Sequence, residues 1–224
     1  EQIMAILSIG MAPFFLQLLS SGIAFLINST LAEYAGSPLM ADRAVGAYGI
    51  INSIALVGFM FMLGIAQGMQ PIVGYNYGAR AMRRVRQTFN ICAAVNLSIG
   101  LFVTVAALSA PRFLASMFTS SPEMIEASAG ALRCCIYGFA FVGFQVTATQ
   151  FFQSIGFGGK AMLLSLSRQT LFLIPALFGF PLLWGSKGVW VALPFSDICA
   201  GVLGIILMAY QFRLFDRRAE QEGL

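Results

Sequence analysis

The chain has 224 residues, of which 58% are hydrophobic and only 10% are charged, and its mean hydropathy is +0.83. A soluble domain carries about a quarter charged residues, so this composition excludes the soluble class and predicts a protein that spans a lipid bilayer. The net charge of +4 does not indicate nucleic-acid binding, because the arginines flank apolar segments instead of forming a basic face.

The residue types that build most metal and catalytic sites are absent or poorly placed. Histidine does not occur, and the four cysteines show no spacing typical of a metal site. The sequence contains no nucleophile–base pair and no glycine-rich phosphate loop. We therefore predict that the protein is not an enzyme and binds no metal or organic cofactor.

Six apolar segments are long enough to cross a bilayer, whose hydrocarbon core of about 30 Å requires roughly 20 helical residues. In chain order they are Met11–Leu31, Val45–Met69, Phe89–Leu108, Leu132–Ile155, Met162–Trp184 and Val189–Tyr210. This pattern predicts an all-α membrane protein in which residues 1–224 form one bundle of six transmembrane helices.

The connections between these segments alternate in positive charge. One set carries Arg80, Arg83, Arg84, Arg86, Lys160, Arg213, Arg217 and Arg218, and the other carries Arg43, Arg112, Arg133 and Lys187. Because Lys and Arg accumulate on the cytoplasmic side, the first set predicts that both ends of the chain are cytoplasmic.

The connection between the third and fourth segments has a pattern of its own. Pro111–Phe118 groups apolar residues with few charges, as in a short helix that lies at the membrane interface. Ser121, Pro122 and Glu123 then form a helix-start pattern of N-cap, first-turn proline and acid near the positive end of the dipole. We expect the fourth helix to begin well before it enters the membrane.

Two helices carry a face on which polar side chains alternate with alanine or phenylalanine. In the first segment these positions are Gln17, Ser20, Ser21, Ala24 and Asn28, and in the fourth they are Phe141, Gln145, Ala148, Thr149, Phe152 and Gln153. Such groups either bond neighbouring helices, at about 0.6 kcal/mol each, or line a water-accessible cavity that offers amides and aromatic rings to a lipophilic cation. Helix bonding is favoured for Ser20 and Ser21, whereas both interpretations stay open for Gln145.

Ionisable residues inside the segments are few, and two of them lie at matching depth. At 1.5 Å per residue, Arg168 lies about 12 Å from the cytoplasmic edge and Asp197 about 14 Å from the opposite edge. Because a short turn joins their helices, these are expected to be antiparallel neighbours. We predict an ion pair near the middle of the bilayer, where Gly201 and Gly204 on the Asp197 face allow close approach.

A motif at the end of the second segment identifies a family. It reads Gly-Ile-Ala-Gln-Gly-Met-Gln-Pro-Ile-Val-Gly-Tyr-Asn-Tyr-Gly-Ala over residues 64–79. Gly64 and Gly68 would allow close approach of a neighbouring helix, and Pro71 would disturb the helix. The string resembles the helix-end signature of the multidrug and toxic compound extrusion (MATE) transporters, where it closes the second helix of the C-terminal half.

The resemblance implies a fold, an activity and a missing partner. MATE proteins have twelve spans in two six-span halves, so this chain resembles the C-terminal half, and the N-terminal half would be its partner. The chain starts at Glu1 without methionine, which also leads us to expect a longer protein. The implied activity is export of drug-like cations across the bacterial inner membrane in exchange for Na⁺ or H⁺.

The chain departs from the family in one functional position. Many MATE proteins carry an acidic coupling residue in the first and fourth helices of this half, but the matching stretches, Gln17–Ser21 and Gly143–Val146, contain no acid. Any coupling acid is then Asp197 or lies in the N-terminal half. Arg168 and Asp197, with their surrounding motifs, resemble the branch that includes bacterial MepA-like exporters. We place Gln17, Asn28, Phe141, Gln145, Thr149, Phe152, Arg168 and Asp197 on the substrate or ion pathway.

Two other functions remain alternatives. A lipid-linked saccharide flippase has a related architecture but is expected to line its cavity with several cationic residues, and only Arg168 is available here. A self-contained six-span channel or scaffold would instead require that no homologous half precede this chain.

Overall fold

The computed structural model describes the backbone of residues 2–222 and the side chains of residues 17–217. Within that part of the chain all regular elements are helices and no strand occurs. The α-helices are α1 (Gln2–Glu33), α2 (Pro38–Gly78), α3 (Met82–Ser109), α4 (Pro111–Ser116), α5 (Pro122–Cys135), α6 (Phe139–Ser154), α7 (Gly158–Leu166), α8 (Ile174–Trp184) and α9 (Ser186–Glu222). A 3₁₀ turn, Ile136–Gly138, joins α5 to α6, and a π-helical segment, Ser167–Leu173, joins α7 to α8.

The predicted membrane segments coincide with these helices. Five helical units among the described residues are long and apolar enough to cross a membrane, namely α2, α3, α5–α6, α7–α8 and α9 up to Arg217. The first predicted segment lies within α1, where the side chains of residues 11–16 fall outside the described part. The all-α membrane bundle is confirmed, and these five units account for five of its six predicted spans.

The connection before the fourth span folds largely as predicted. Helix α4 is a separate short helix, although it ends at Ser116 rather than at Phe118. Helix α5 begins at Pro122 with Glu123 in its first turn, about ten residues before the apolar segment. Ser121 is the N-cap residue, but its side chain makes no capping hydrogen bond.

The end of α2 differs from the prediction in two respects. The helix continues through Pro71 to Gly78, and it ends where Arg80 adopts a positive φ of 58°. A left-handed residue stops a helix more sharply than the loss of one N–H at proline. The second difference concerns Gly64 and Gly68, because a Cβ atom at either position would have no neighbour within 4 Å. Within the described chain these two glycines therefore mediate no close helix contact.

The apolar core divides into two clusters, with α6 packed against α2, α3, α7 and α9 between them. The larger cluster joins α1, α2, α5, α8 and the first half of α9. The smaller cluster lies at the end of the bundle that carries the Arg80–Arg86 connection and Lys160, which we call the basic end. Its buried aromatic members are Phe89, Phe151, Phe152 and Phe215, and we call these, together with the partly buried Phe212 packed against them, the aromatic cluster.

Candidate functional site

The candidate site is centred on the π-helical segment between α7 and α8. In this segment the backbone N–H of Ile174 donates to the carbonyl of Gln169, five residues back. Pro175 supplies a local reason: it has no N–H, and its ring would crowd the carbonyl of Leu171 four residues earlier, so the turn before it widens. Single π-helical turns inside α-helices are frequent at functional sites.

Arg168, in this segment, forms the predicted ion pair with Asp197 of α9. The Arg168 Nε atom lies 2.8 Å from Asp197 Oδ1, and the side chains are 34% and 10% exposed. Neither atom has a hydrogen-bond partner with acceptable alignment. The two atoms are close enough for an ion pair, but their alignment does not meet the criteria for a hydrogen bond. The contact is therefore an ion pair without a hydrogen bond between these atoms. The predicted pairing is confirmed.

A close backbone contact positions Asp197 against the fourth span. A Cβ atom built on Gly138 would lie 2.6 Å from the Cβ of Asp197 and 2.8 Å from the carbonyl oxygen of Pro194. Real Cβ atoms do not approach so closely, so only glycine allows α9 to pack here. The 3₁₀ turn between α5 and α6 therefore brings the backbone of the fourth span directly beside the ion pair.

The residue after Arg168 connects the site to α1. The Gln169 side-chain amide donates to the Ser20 hydroxyl at 3.0 Å. The predicted helix-bonding role of Ser20 is confirmed, whereas Ser21 donates to the carbonyl of Gln17 within its own helix. We call Ser20, Arg168, Gln169 and Asp197 the polar cluster, because they join α1, the π-helical segment and α9.

Gln145 connects to the same segment from the other side. Its side chain is 5% exposed, and its amide donates to the carbonyl of Leu164 at 2.7 Å. Ser167, the first residue of the π-helical segment, donates its hydroxyl to that carbonyl at 3.0 Å. In this structure Gln145 therefore bonds two helices at the turn that leads to Arg168, which favours the helix-bonding interpretation.

The other predicted pathway residues do not converge on one point. Thr149 and Phe152 are buried within the bundle, and Phe141 is half-buried against Gly201 of α9. Gln17 is exposed, and the half-buried Asn28 has a buried side-chain oxygen with no hydrogen-bond partner in the described part of the chain. Pathway roles for these residues, and for Gln145, stay predictions. Gly201 packs closely as predicted, but its neighbour is Phe141 of α6 and not a residue of the Arg168 helix.

The sequence did not single out two features of this region. Gln169 directly follows Arg168, but nothing in the local sequence indicates that it faces α1. Asn96 is fully buried, and its amide donates to Thr147 Oγ1 at 2.8 Å and to the Met62 carbonyl at 3.1 Å. Among the described residues no group of three or more Cys, Asp or Glu is close enough to hold a metal ion.

Comparison with curated proteins finds bacterial exporters. The chain is 27% identical over 219 residues to the multidrug export protein MepA of Staphylococcus aureus strain MSSA476, an alignment that covers 95% of this chain and 45% of the relative. It is 24% identical over 212 residues to MepA of Staphylococcus haemolyticus, covering 93% and 45%. The chain thus spans about half the length of the curated relatives that it matches.

Solved structures show the same fold at the same half-length. A MATE family transporter of the MOP superfamily in an outward-facing conformation matches with a TM-score of 0.83 and 22% identity, over 95% of this chain and 47% of that one. An inward-facing structure also gives 0.83, with 21% identity over 96% and 49%. A MOP superfamily transporter from Pyrococcus furiosus, for which reverse polarity of the binding pocket suggests a different function, gives 0.82 at 22% identity, over 94% and 47%.

The sequence also matches the MatE family model over residues 13–178. That range includes α2 with its helix-end motif and extends through the π-helical segment into α8. Since the match covers more than half of the 224 residues, the chain belongs to the MatE family.

Proposed function

We propose that the chain is the C-terminal half of a transporter that exports lipophilic cations in exchange for Na⁺ or H⁺. The proposed activity is transport and includes no catalytic step. The observation that carries the proposal is the pair formed by the half-buried Arg168 and the buried Asp197, since an ionisable residue inside a membrane bundle is expensive and marks ion or substrate pathways.

Asp197 has the properties that a coupling residue needs. Its only ion-pair partner among the described residues is Arg168, and their contact lacks hydrogen-bond alignment. A proton or Na⁺ at this carboxylate would leave Arg168 without its counter-charge in a medium of low dielectric constant. A cationic substrate would compete with the coupling ion for the same negative charge, and such competition is the physical requirement for exchange.

The conformational step would be a movement of whole halves. The chain matches outward-facing and inward-facing structures with equal TM-scores of 0.83, so the fold of one half is compatible with both arrangements. Rocking of the two halves would then expose the polar cluster alternately to the two sides of the membrane.

The pairing of Arg168 weighs against the saccharide flippase. Recognition of an anionic lipid-linked saccharide would require uncompensated positive charge inside the bundle. Arg168, however, has Asp197 within ion-pair distance, so the pair has no net charge. A cationic substrate fits the available chemistry better.

Transport by reconstituted intact transporter tests the function. We expect the natural protein to export tetraphenylphosphonium from proteoliposomes under an imposed Na⁺ or H⁺ gradient, and the Arg168→Leu/Asp197→Leu double variant to export none while remaining folded. The matched control is Arg112→Leu/Glu126→Leu, an exposed pair with the same 2.8 Å separation, which should transport normally. Gradient-driven export by the first double variant would contradict coupling at Asp197. No export by the natural protein would contradict the function itself.

We also propose that the basic end of the bundle and both ends of the chain are cytoplasmic, from the distribution of Lys and Arg. Single cysteines at positions 83 and 187, in a background without native cysteines, test this orientation. A membrane-impermeant thiol reagent added outside should label position 187 and leave position 83 unlabelled, and the opposite pattern would reverse the topology.

A further inference from the structure

A cavity outside the polar cluster opens at the basic end, between the start of α3 and the end of α9. It has a volume of about 630 Å³. Its walls combine basic, amide and apolar side chains: Met82, Arg83, Arg86, Gln87, Asn90, Ile91, Phe212, Phe215 and Asp216. The transport mechanism proposed above does not use this cavity.

The charged groups of the cavity leave it net positive. Arg86 lies 3.4 Å and 3.5 Å from the two carboxylate oxygens of Asp216, and its guanidinium stacks 5.1 Å above the Phe212 ring. Strong charge-assisted hydrogen bonds are about 2.7–2.9 Å long, so the Arg86–Asp216 ion pair is a long one. Arg83 has no ion-pair partner among the described residues. Two arginines and one aspartate therefore line the cavity.

The helix end beside the cavity also favours an anion. Helix α3 begins at Met82 with no acidic residue in its first turn and no side-chain cap. The N-terminus of a helix carries a partial positive charge, and Arg83, Arg84 and Arg86 add like charge there. An anion in the cavity would offset both contributions. The uncapped helix end thus adds to the positive charge of the two arginines in the cavity wall.

The apolar part of the wall indicates which anion fits. Ile91 is exposed one turn further along α3, in the direction of the membrane, and the Phe212 and Phe215 rings face the same cavity from α9. A ligand with a phosphate group next to a hydrocarbon chain matches this arrangement, in which the basic side chains are followed by apolar ones. Basic pockets between transmembrane helices on the cytoplasmic side bind lipid headgroups in this manner.

We propose that this cavity binds the phosphate group of an anionic phospholipid from the cytoplasmic leaflet. The phosphate lies between Arg83 and Arg86, with Gln87 and Asn90 as neutral donors, and an acyl chain follows Ile91. The bound lipid joins α3 to α9 at the basic end. This binding is a property of the bundle that does not depend on the transported substrate.

Thermal unfolding of the intact protein in a neutral detergent tests the proposal. Dioleoyl phosphatidylglycerol should raise the Tm, and dioleoyl phosphatidylcholine, with the same chains, should not. The Arg83→Gln/Arg86→Gln variant should need a higher concentration of the anionic lipid for half the effect, by about fivefold per arginine removed. The matched control is Arg84→Gln, at the same helix end but not lining the cavity, which should behave as the natural protein. Equal responses to the two lipids, or equal losses in both variants, would overturn the site.

Two further measurements separate the sources of phosphate and guard against misfolding. Soluble glycerol 1-phosphate should give a far smaller Tm rise than the lipid, and an equal rise would overturn the lipid assignment in favour of a free phosphate. Asp216→Asn, which removes the negative charge from the cavity, should lower the phosphatidylglycerol concentration needed for half the effect. An unchanged or higher concentration would overturn the charge argument even if the arginine variants fail to fold.

Discussion

The aromatic cluster and the polar cluster share helix α9 but are stabilised by different interactions. Phe89 makes edge-to-face contacts with Phe151 at 5.2 Å and with Phe212 at 5.4 Å, and each such pair contributes about 0.5–1.5 kcal/mol beyond its buried area. The charge pair Arg168–Asp197 must instead offset the desolvation of both ions, and such pairs often contribute no net stability. The first cluster is held by apolar ring contacts, whereas the second places two opposite charges side by side inside the bundle.

The two clusters also differ in the groups that surround their charged side chains. At the basic end Lys160 donates to Gln211 at 2.6 Å and lies 5.1 Å from the Phe157 ring centroid, so neutral groups hold this cation. In the polar cluster Asp197 depends on one oppositely charged side chain and on close packing against Gly138. Removing one member of the ion pair should therefore leave an unpaired charge, whereas truncating a ring of the aromatic cluster leaves an apolar cavity.

The largest effect is expected from the aromatic cluster. Phe151→Ala should lower the free energy of unfolding by about 3–5 kcal/mol, because it opens a cavity beside several rings that cannot collapse. Chemical denaturation of the intact protein in detergent measures this loss. Phe102→Ala is the matched control, since Phe102 is 73% exposed on α3 and should be nearly neutral. Similar losses in both variants would contradict the anchoring role.

Losses of stability at the ion pair should be non-additive. Arg168→Leu and Asp197→Leu should each cost about 2.5–3.5 kcal/mol, because each leaves one charge unpaired inside the bundle. The double variant should recover most of that loss, as expected when a buried pair is replaced by apolar groups. The same denaturation measurement forms a double-mutant cycle. Losses that simply add would contradict the pairing.

A smaller effect is expected at the contact that positions Asp197. Gly138→Ala should cost about 1–3 kcal/mol, because the added methyl group meets Asp197 and the backbone of Pro194 and must displace α9. The matched control is Gly130→Ala, where a Cβ atom would have no neighbour within 4 Å. A thermal unfolding series records both. If Gly138→Ala were as stable as the control, α9 would not pack here as described.

The smallest effect is expected at Gln145. Gln145→Leu should lower the free energy of unfolding by about 0.6 kcal/mol, the average for an interhelical hydrogen bond in a membrane. Because its amide is bonded to the Leu164 carbonyl, we expect export to continue. Gln67→Leu, at an exposed glutamine on α2, controls for the change of side chain. Lost export at unchanged stability would favour the pathway interpretation of Gln145.

The sequence by itself determined the features that depend on segment length, charge and local pattern. The six helical spans follow from apolar runs long enough for a bilayer, and the start of α5 follows from Ser121, Pro122 and Glu123. The Arg168–Asp197 pair was also predictable, because two charges at equal depth on consecutive helices have few other ways to avoid hydrocarbon. The helix-end motif of α2 was specific enough to identify the family.

Only the tertiary structure decided which way each helix faces. In water an apolar stripe marks the buried side of a helix, but in lipid both sides are apolar, so hydropathy does not reveal the rotation of a helix about its axis. That rotation turns Gln145 toward α7 and Gln169 toward Ser20. It leaves Gly64 and Gly68 without a close neighbour among the described residues, while Gly138 packs against α9. The polar cluster and the basic cavity each combine residues from different helices, so the three-dimensional arrangement of the bundle, rather than any local pattern, determines them.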